Sequence, residues 1–287
     1  MRIAELYGHS EPVISFEFFP PKTDAGYRSL YRTIAELKHL DPGWVSVTWG
    51  AGGSTRAKTI DLVVDIQREI GIPAMAHMTC VGSPRADLAA TLERLVQEGL
   101  HNVLALRGDP PKDTTHFEPV ADGFAHASEL ISFIRSRFDL CIGAACYPEK
   151  HPDSASPEAD LANLVKKVES GADFLITNLF FDAEDYFSFV ARARAAGIQV
   201  PIVPGVMPVV SAANVRRMAL LTGAHIPEPL EAELARTGED DDATLEVGIT
   251  WATGQCRKLL AGGAPGLHFY TLNRSPAARR VWANLSA

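Results

Sequence analysis

The chain alternates between short apolar runs and longer amphipathic segments along almost its whole length. The apolar runs have the length and β-branched content of strands, and they lie near 13–19, 44–49, 73–79, 102–107, 140–147, 173–181, 201–206 and 266–271. The intervening segments, such as 157–171 and 243–262, carry apolar residues at helical spacing. This alternation predicts parallel strands joined by crossover helices. Eight such units in 287 residues predict an α/β protein, a single-domain (β/α)8 TIM barrel over residues 1–287.

A doubly wound open sheet is the rival architecture. If it bound a dinucleotide, it would carry the glycine-rich turn G-x-G-x-x-G after its first strand, and neither this motif nor a Walker A loop follows any of the runs. No linker or low-complexity segment divides the chain. The segment near 223–242 is the most irregular, and we interpret it as an excursion between the seventh and eighth strands.

Composition excludes several classes of function. The net charge is -8 and no basic stripe is interleaved with aromatic residues, so nucleic acid is not an expected partner. The first twelve residues lack the apolar core of a signal peptide, and no apolar run approaches the ~18 residues of a membrane span. We therefore expect a cytoplasmic protein that does not associate with membranes.

Two further patterns suggest metal sites and are better explained otherwise. The acidic run 239–242 is more typical of a helix start than of a metal site, because carboxylates are stabilised at the positive end of the helix dipole. The four cysteines match no zinc or disulfide spacing, so we expect reduced structural thiols and no bound metal. They are Cys80, Cys141, Cys146 and Cys256.

The first strand places a carboxylate in an apolar run. Side chains alternate between the two faces of a strand, so Ser15 and Glu17 would point into the barrel while Phe16 and Phe18 pack against helices. A carboxylate in such a setting is costly unless it has a partner or a task. Glu17 is therefore either a member of a structural ion pair or a functional acid, and the recurrence of polar residues on other strands favours the acid.

Polar residues also follow the other predicted strands, and in a barrel they would gather at the C-terminal rim, where active sites lie. A lone His77 is more often a core histidine with its hydrogen bonds satisfied, so the joint placement of these residues is what indicates a site. These residues are Thr48, His77, Thr79, Arg107, Gly108, Asp109, Tyr147, Glu149, His151, Asn178, Tyr270, Asn273 and Arg274. Asp160, Asn163 and Lys167 form a polar stripe on one predicted helix, which is either a solvated face or part of a ligand site.

Five segments together resemble the methylenetetrahydrofolate reductase family. They occur in the family's order and spacing, from about residue 10 to the end of the sequence. They are 15–22 (SFEFFPPK), 45–55 (VSVTWGAGGST), 105–111 (ALRGDPP), 147–149 with 151–152 (YPE and HP), and 268–274 (HFYTLNR). In length the chain resembles the bacterial catalytic barrel, without the C-terminal regulatory domain of the eukaryotic enzymes.

The resemblance implies noncovalently bound FAD at the barrel rim. The flavin contacts it implies are Trp49, Ala51, His77, Arg107, Gly108, Asp109, His126, Ala127, Tyr147, His151, Asp160, Asn163, Lys166 and Lys167. It places Thr48 near the nicotinamide and Asp109 between flavin and folate, where its oxygens would accept hydrogen bonds from the pterin. Leu272 and Arg274 would contact the folate.

The resemblance also implies a ping-pong reaction that feeds one-carbon metabolism and methionine synthesis. NADH or NADPH reduces FAD and leaves, and 5,10-methylenetetrahydrofolate then takes its place and is reduced to 5-methyltetrahydrofolate. Glu17 would be the general acid that opens the folate ring, which requires a neutral carboxyl group. We expect its phenylalanine-rich setting to raise the pKa of Glu17 by desolvation.

Three positions depart from the family's bacterial pattern. Asn178 and Asn214 stand where glutamines are usual, and Met218 replaces an aromatic residue that offers a stacking platform. Each amide loses reach, and methionine keeps apolar contact without ring stacking. The changes bear on how folate and the nicotinamide donor are bound.

Two other classes of function stay open on the sequence alone. One is another flavin-dependent barrel oxidoreductase, similar to proline dehydrogenase, and the other is a non-catalytic folate- or flavin-binding protein. Glu17 and the 107–109 segment argue against the first, and Glu17 argues against the second, because binding alone has little use for a costly buried acid. The bacterial members of the family suggest a homo-oligomer.

Overall fold

A computed structural model describes residues 1–9, 11–49, 56–109 and 118–286. It contains nine parallel strands, which are β1 (Val13–Phe18), β2 (Trp44–Val47), β3 (Ala74–Thr79), β4 (Asn102–Leu106), β5 (Cys141–Cys146), β6 (Phe174–Thr177), β7 (Ile202–Val203), β8 (Gly205–Val206) and β9 (Gly266–Tyr270). The helices in these residues are α1 (Asp24–Lys38), α2 (Arg56–Asp65), α3 (Arg85–Gln97), α4 (Ala127–Arg137), α5 (Pro157–Glu169), α6 (Ala183–Ala195), α7 (Ala212–Thr222), α8 (Glu228–Thr237), α9 (Asp241–Ala261) and α10 (Pro276–Ser286). A 3-10 turn (Ile3–Leu6) precedes β1, and a π-helical turn (Ile66–Ile70) extends α2.

The strands form a nearly closed barrel, which confirms the predicted fold class. Their order is β7-β6-β5-β4-β3-β2-β1-β9-β8, with every pairing parallel. The predicted seventh strand is divided at Pro204 into β7, which pairs with β6, and β8, which pairs with β9. Proline has no N–H to donate to a sheet, which interrupts the strand at this residue.

Strand alternation sorts the side chains into two cores. Phe16 and Phe18 pack in the layer between barrel and helices, as predicted. The barrel interior is closed at its lower end by an apolar cluster of Ile3, Trp44, Met75, Leu104, Cys141, Phe174, Ile176 and Val203. Polar residues occupy the inward positions above this floor, so the upper end of the barrel is the place where a polar site is built.

Helix starts follow the sequence signals. Asp240 is the N-cap of α9 and accepts a hydrogen bond from the backbone N–H of Ala243 at 3.0 Å, which confirms that the acidic run begins a helix. No cluster of potential metal ligands occurs in the described ranges. The irregular segment near 223–242 contains the helix α8, where only an excursion was predicted, because Leu230 and Leu234 are buried and anchor it.

The structure also bears on the expectations for the cysteines and for membrane-spanning segments. All four cysteine thiols are buried and unpaired, as predicted. Among the helices of the described residues, none combines the length and the apolarity that crossing a membrane requires.

The barrel floor generates the first prediction. Asn102, buried on β4, accepts the N–H of Ile3 at 2.8 Å and donates to the Met1 carbonyl at 3.1 Å, so it fixes the turn that closes the floor. Asn102→Ala leaves the buried Ile3 N–H without its partner, and we expect a loss of about 1–3 kcal/mol in the free energy of unfolding. Urea denaturation measures it, with the exposed Asn284→Ala as the matched control. Equal stability of the two variants would contradict this role for Asn102.

Candidate active site

Parallel strands bring their C-terminal ends to one mouth of the barrel, where several of the predicted site residues lie. Glu17 and His77 lie on β1 and β3. Thr48 and Trp49 follow β2, and Thr48 is anchored by its N–H donating to the Phe18 carbonyl at 2.8 Å. Ala51 lies outside the described residues, so its predicted flavin contact stays a prediction.

Glu17 is the centre of a polar cluster inside the mouth. Its Oε2 lies 3.3 Å from His77 Nε2, 3.5 Å from His268 Nε2 and 3.4 Å from Ser46 Oγ. The side chain is 18 % exposed, whereas the two imidazoles are almost fully buried. The contacts with the imidazoles are at ion-pair distance and are longer than ordinary hydrogen bonds.

The expectation that the pKa of Glu17 is raised is wrong. Desolvation does raise it, but the nearby imidazoles of His77 and His268 outweigh desolvation and lower the pKa of Glu17 to about 2. The phenylalanines of the first strand face the helices, so the surroundings of the carboxyl group are set by two histidines. Glu17 is therefore a carboxylate at neutral pH in this structure.

His268 was not predicted as a site residue, although the motif that contains it was recognised. It pairs with Ser15 in the register of β9 with β1, and its Nδ1 lies 2.9 Å from Ser15 Oγ. Its ring stacks on Trp44 with centroids 4.8 Å apart. Burial lowers the pKa of His268, against the opposing effect of Glu17. Strand alternation applied to β9 would have placed His268 beside Glu17.

The turn after β4 presents Arg107, Gly108 and Asp109. Gly108 has a φ of +87°, and a Cβ there would lie 2.7 Å from Val81 Cγ1, so the turn requires glycine. Arg107 Nη2 pairs with Asp153 Oδ2 at 2.8 Å, and Asp109 is exposed. His126 and Ala127 mark the start of α4, with His126 exposed and Ala127 buried.

A second polar group is built by β5, the loop after it and α5. Asp160 accepts the His151 N–H at 3.1 Å and the Ser154 hydroxyl at 2.9 Å. His151 packs edge-on against Tyr147, with ring centroids 4.6 Å apart. Because His151 Nδ1 accepts the backbone N–H of Asp153, a neutral His151 carries its proton on Nε2. The loop geometry is thus fixed by the carboxylate of Asp160.

Lys167 lies on the inward side of α5. Its Nζ donates to the Ala145 carbonyl at 2.9 Å, and desolvation lowers the pKa of its ammonium group. Lys167, Asp160 and Tyr147 line one small enclosed cavity together with Arg192, a cation on α6 that the sequence analysis missed. Asn163 and Lys166 lie on exposed faces of the same helix, so the predicted stripe is split between cavity and solvent.

The remaining residues predicted to contact folate or nicotinamide come from three elements. Asn178, after β6, uses its Oδ1 to accept the N–H of Leu179 at 2.6 Å. Asn214 and Met218 are half-buried on α7, where Met218 packs against a separate apolar cluster. Leu272 and Arg274 lie in the turn after β9, where the Arg274 side chain is exposed.

This last turn is strained and clamped to the first strand. Leu272 and Asn273 both have positive φ, 50° and 58°, which is uncommon for residues other than glycine. Asn273 donates to the Phe19 carbonyl at 2.8 Å and accepts the Phe19 N–H at 2.9 Å. Thr271 Oγ1 donates to the Glu17 carbonyl at 2.6 Å. The turn therefore fixes the backbone on which Glu17 is carried.

The family model described as methylenetetrahydrofolate reductase matches residues 2–286. Methylenetetrahydrofolate reductase (NADH) 1 of Arabidopsis thaliana is 40% identical over 99% of this chain and 50% of its own length. The 5,10-methylenetetrahydrofolate reductase of Salmonella typhimurium is 35% identical over 95% of this chain and 90% of its own length. The chain thus spans about half the length of the plant relatives and most of the bacterial ones.

Solved structures show the same fold at low sequence identity. An uncharacterized protein from Clostridium thermocellum, described as binding two copies of 5-methyl-5,6,7,8-tetrahydrofolic acid, has a TM-score of 0.64 and 15% identity, with 99% of this chain and 98% of that chain covered. Dihydropteroate synthase from Xanthomonas albilineans has a TM-score of 0.50 and 11% identity, with 96% and 91% covered. These similarities establish the barrel architecture alone.

The cluster around Glu17 predicts a specific pH dependence of stability. The pKa of Glu17 is lowered from 4.5 in an unfolded chain to about 2 in the fold. The resulting stabilisation is present above pH 4.5 and is lost as the pH falls towards 2. We expect the stability advantage of the wild type over Glu17→Gln to shrink by about 1–2 kcal/mol between pH 5 and pH 3.

Urea unfolding at both pH values measures this difference, with the exposed Glu11→Gln as the matched control. An advantage of the wild type that is equal at pH 5 and pH 3 would show that the two imidazoles do not lower the pKa of Glu17.

Proposed function

Because this chain belongs to the methylenetetrahydrofolate reductase family, we propose that it uses FAD and NADH or NADPH to reduce 5,10-methylenetetrahydrofolate to 5-methyltetrahydrofolate. The proposal includes a ping-pong order of substrates and a single catalytic domain over residues 1–287. We prefer this function to that of a flavin-dependent barrel oxidoreductase similar to proline dehydrogenase, because the family match extends over nearly the whole chain.

The position of Glu17 is the observation that carries the proposal. Ring opening of the folate needs a proton donor held close to the flavin, inside a mouth from which most water is excluded. Glu17 is an ionisable group 18 % exposed above an apolar floor, and its backbone is clamped by the strained turn after β9. A protein that only binds folate has little use for a carboxylate held at this cost.

The residues of the mouth fit an anionic flavin dinucleotide. Lys167 is a desolvated cation with a lowered pKa, so a phosphate group placed beside it would be bound favourably. Within the described ranges, the buried Thr79 Oγ1 has no hydrogen-bond partner, and it offers the ligand a further polar contact. FAD, when bound, supplies the redox chemistry by accepting hydride from the nicotinamide and passing it to the folate.

In this proposal the site residues divide into two sets. The cofactor set comprises Thr48, Trp49, Ala51, His77, Arg107, Gly108, Asp109, His126, Ala127, Tyr147, His151, Asp160, Asn163, Lys166 and Lys167. The substrate set comprises Asp109, Asn178, Asn214, Met218, Leu272 and Arg274. Glu17 acts as the general acid, and Asp109 accepts hydrogen bonds from the pterin.

The low pKa of Glu17 has to be reconciled with proton donation. In this structure the carboxyl group is partly exposed and its charge is stabilised by imidazoles. Folate filling the mouth would remove the remaining water, and desolvation raises the pKa of a carboxyl group. We therefore expect the acid form of Glu17 to be populated in the folate complex, where it is needed.

The relatives and structural neighbours support the choice of ligands. Plant relatives carry NADH in their names, so NADH is the donor to test first. The Clostridium thermocellum protein of the same fold is described as binding a methylated tetrahydrofolate. We propose a cytoplasmic homo-oligomer as the working assembly, with small molecules as its ligands.

The cofactor part of the proposal predicts that purified protein is yellow and holds about one FAD per chain. Lys167→Met removes a charge-assisted contact, and we expect FAD to bind about 10- to 100-fold more weakly. Mass analysis of the extracted cofactor and equilibrium titration of FAD into the apoprotein measure both claims. Lys258→Met, on the exposed face of α9, is the control and should bind FAD normally. Recovery of FMN, or a protein that does not bind added FAD, would contradict the proposal.

If Glu17 is the general acid, its substitution should slow folate reduction without slowing flavin reduction by the nicotinamide. Glu17→Gln keeps size and hydrogen bonding but cannot donate an acidic proton. We expect normal flavin content and normal reduction by the nicotinamide, with folate reduction slower by roughly 10²-fold or more. Anaerobic stopped-flow absorbance of the flavin follows each half-reaction.

If Glu17 is only a member of a structural ion pair, the variant should be unstable or lose flavin, and both half-reactions should suffer alike. Near-normal folate reduction in a stable, flavin-replete variant would remove Glu17 as the acid. Asp109 would then be the next candidate.

A further inference from the structure

His268 is a buried ionisable residue to which the proposed reaction assigns no task. Its ring is fully buried, stacked on Trp44 and in edge contact with Tyr270 at a centroid distance of 5.4 Å. Its two nitrogens face different partners, with Nδ1 at Ser15 Oγ and Nε2 towards Glu17 Oε2. A polar ring in this position needs an explanation, because both nitrogens are removed from water.

The contacts of Glu17 are unequally distributed between its two oxygens. Ser46 Oγ, His77 Nε2 and His268 Nε2 all converge on Oε2. In the described part of the chain, Oε1 has no hydrogen bond. When a carboxyl group carries one proton, the oxygen that accepts hydrogen bonds stays bare and the other oxygen bears the proton. Oε2 is therefore the oxygen that neighbouring residues hold in place, and Oε1 is the oxygen that is free to carry and deliver a proton.

Ser15 decides which nitrogen of His268 carries the ring proton. The Ser15 hydroxyl has a single hydrogen and lies 2.9 Å from His268 Nδ1 and 3.2 Å from the Leu267 carbonyl. If that hydrogen goes to Nδ1, the neutral ring carries its proton on Nε2 and donates to Glu17. If it goes to Leu267, a neutral ring turns the bare lone pair of Nε2 towards a carboxylate, which is repulsive. The first arrangement is favoured because it turns Nε2–H, and not a bare lone pair, towards the Glu17 carboxylate 3.5 Å away.

We propose that Ser15 and His268 are positioning residues that hold Glu17 by Oε2, so that Oε1 carries the proton delivered to the folate. His268 acts as a neutral donor through Nε2–H, and Ser15 fixes this tautomer. The proton leaves Oε1 for the folate amine nitrogen, and the carboxylate that remains is stabilised at Oε2 by the same donors. This inference rests on the proposed function of Glu17 as the general acid.

The other groups around Glu17 are compatible with this assignment. His77 reaches Oε2 from β3, and Ser46 reaches it from β2. On β9, Tyr270 donates its hydroxyl to the Thr177 carbonyl at 2.7 Å, and burial keeps its pKa well above the usual value, so it stays neutral. Burial likewise lowers the pKa of His268 and favours the neutral ring.

The first test observes the tautomer in the flavin-loaded protein without folate. Two-bond nitrogen–proton NMR correlations of histidine side chains distinguish Nε2–H, Nδ1–H and doubly protonated rings. The His268 signal is assigned by its loss in His268→Gln. We expect Nε2–H at neutral pH in the wild type and a shift towards the Nδ1–H form in Ser15→Ala. An imidazolium ring, or an Nδ1–H ring in the wild type, would overturn the inference.

The second test measures function in the same variants. In Ser15→Ala we expect folate reduction to slow by about 10- to 10²-fold, because the acid is no longer held in place. Since loss of a donor at Oε2 raises the pKa of Glu17, the Glu17-dependent limb of the pH profile should move to higher pH. Flavin reduction by the nicotinamide should stay as in the wild type. Exposed Ser136→Ala and His101→Gln are the matched controls.

The conservative variant His268→Gln tests whether His268 acts by donating a hydrogen bond or by carrying a positive charge. In His268→Gln the new amide could still donate a hydrogen bond but could not become a cation, so this variant should keep more folate activity than His268→Leu. Equal activities in these two variants, or a pH profile of Ser15→Ala that matches the wild type, would overturn the inference. A wild type that shows the expected tautomer but reduces no methylenetetrahydrofolate would instead refute the proposed function.

Discussion

A carboxylate inside a nearly closed barrel has to be stabilised by hydrogen-bond donors or positive charges, and the upper half of this structure is organised around that requirement. Glu17 points inward because strand alternation directs Phe16 and Phe18 outward into the helix layer. Neighbouring strands then supply the polar partners, with Ser46 from β2, His77 from β3 and His268 from β9. The free-energy cost of burying the Glu17 charge is thus offset by polar side chains from three separate strands.

The sequence predicted the fold and the inward position of Glu17, because both follow from local patterns. The alternation of strand-like and helix-like segments indicated the barrel, and Asp240 marked the start of α9. The division of the seventh strand at Pro204 and the burial of α8 depend on which neighbours are paired and covered, which no local pattern contains.

The pKa of Glu17 is likewise a property that the local sequence does not determine. Its sequence neighbours are phenylalanines, which suggested a raised value, but its spatial neighbours are histidines that lie 60 and 251 residues further along the chain. The electrostatic environment of a strand residue is set by the residues on the same face of adjacent strands, not by the residues beside it in the chain. His268 was overlooked for this reason, although its register partner Ser15 was identified as an inward residue.

The two polar groups of the mouth stand on opposite sides of the barrel, which bears on how the proposed reaction is divided. In the strand order, β5 is four places from β1. The loop and helix after β5 carry Asp160 and Lys167, the cofactor side of the proposal, whereas β1 carries Glu17. Substitutions at Asp160 or Lys167 are therefore expected to leave the contacts of Glu17 unchanged. His77, a proposed flavin contact, lies 3.3 Å from Glu17 and couples the two groups. In the proposal, the departures at Asn178, after β6, and Met218, on α7, bear on how folate and nicotinamide are bound, because the contacts of Glu17 Oε2 in the described residues come from Ser46, His77 and His268.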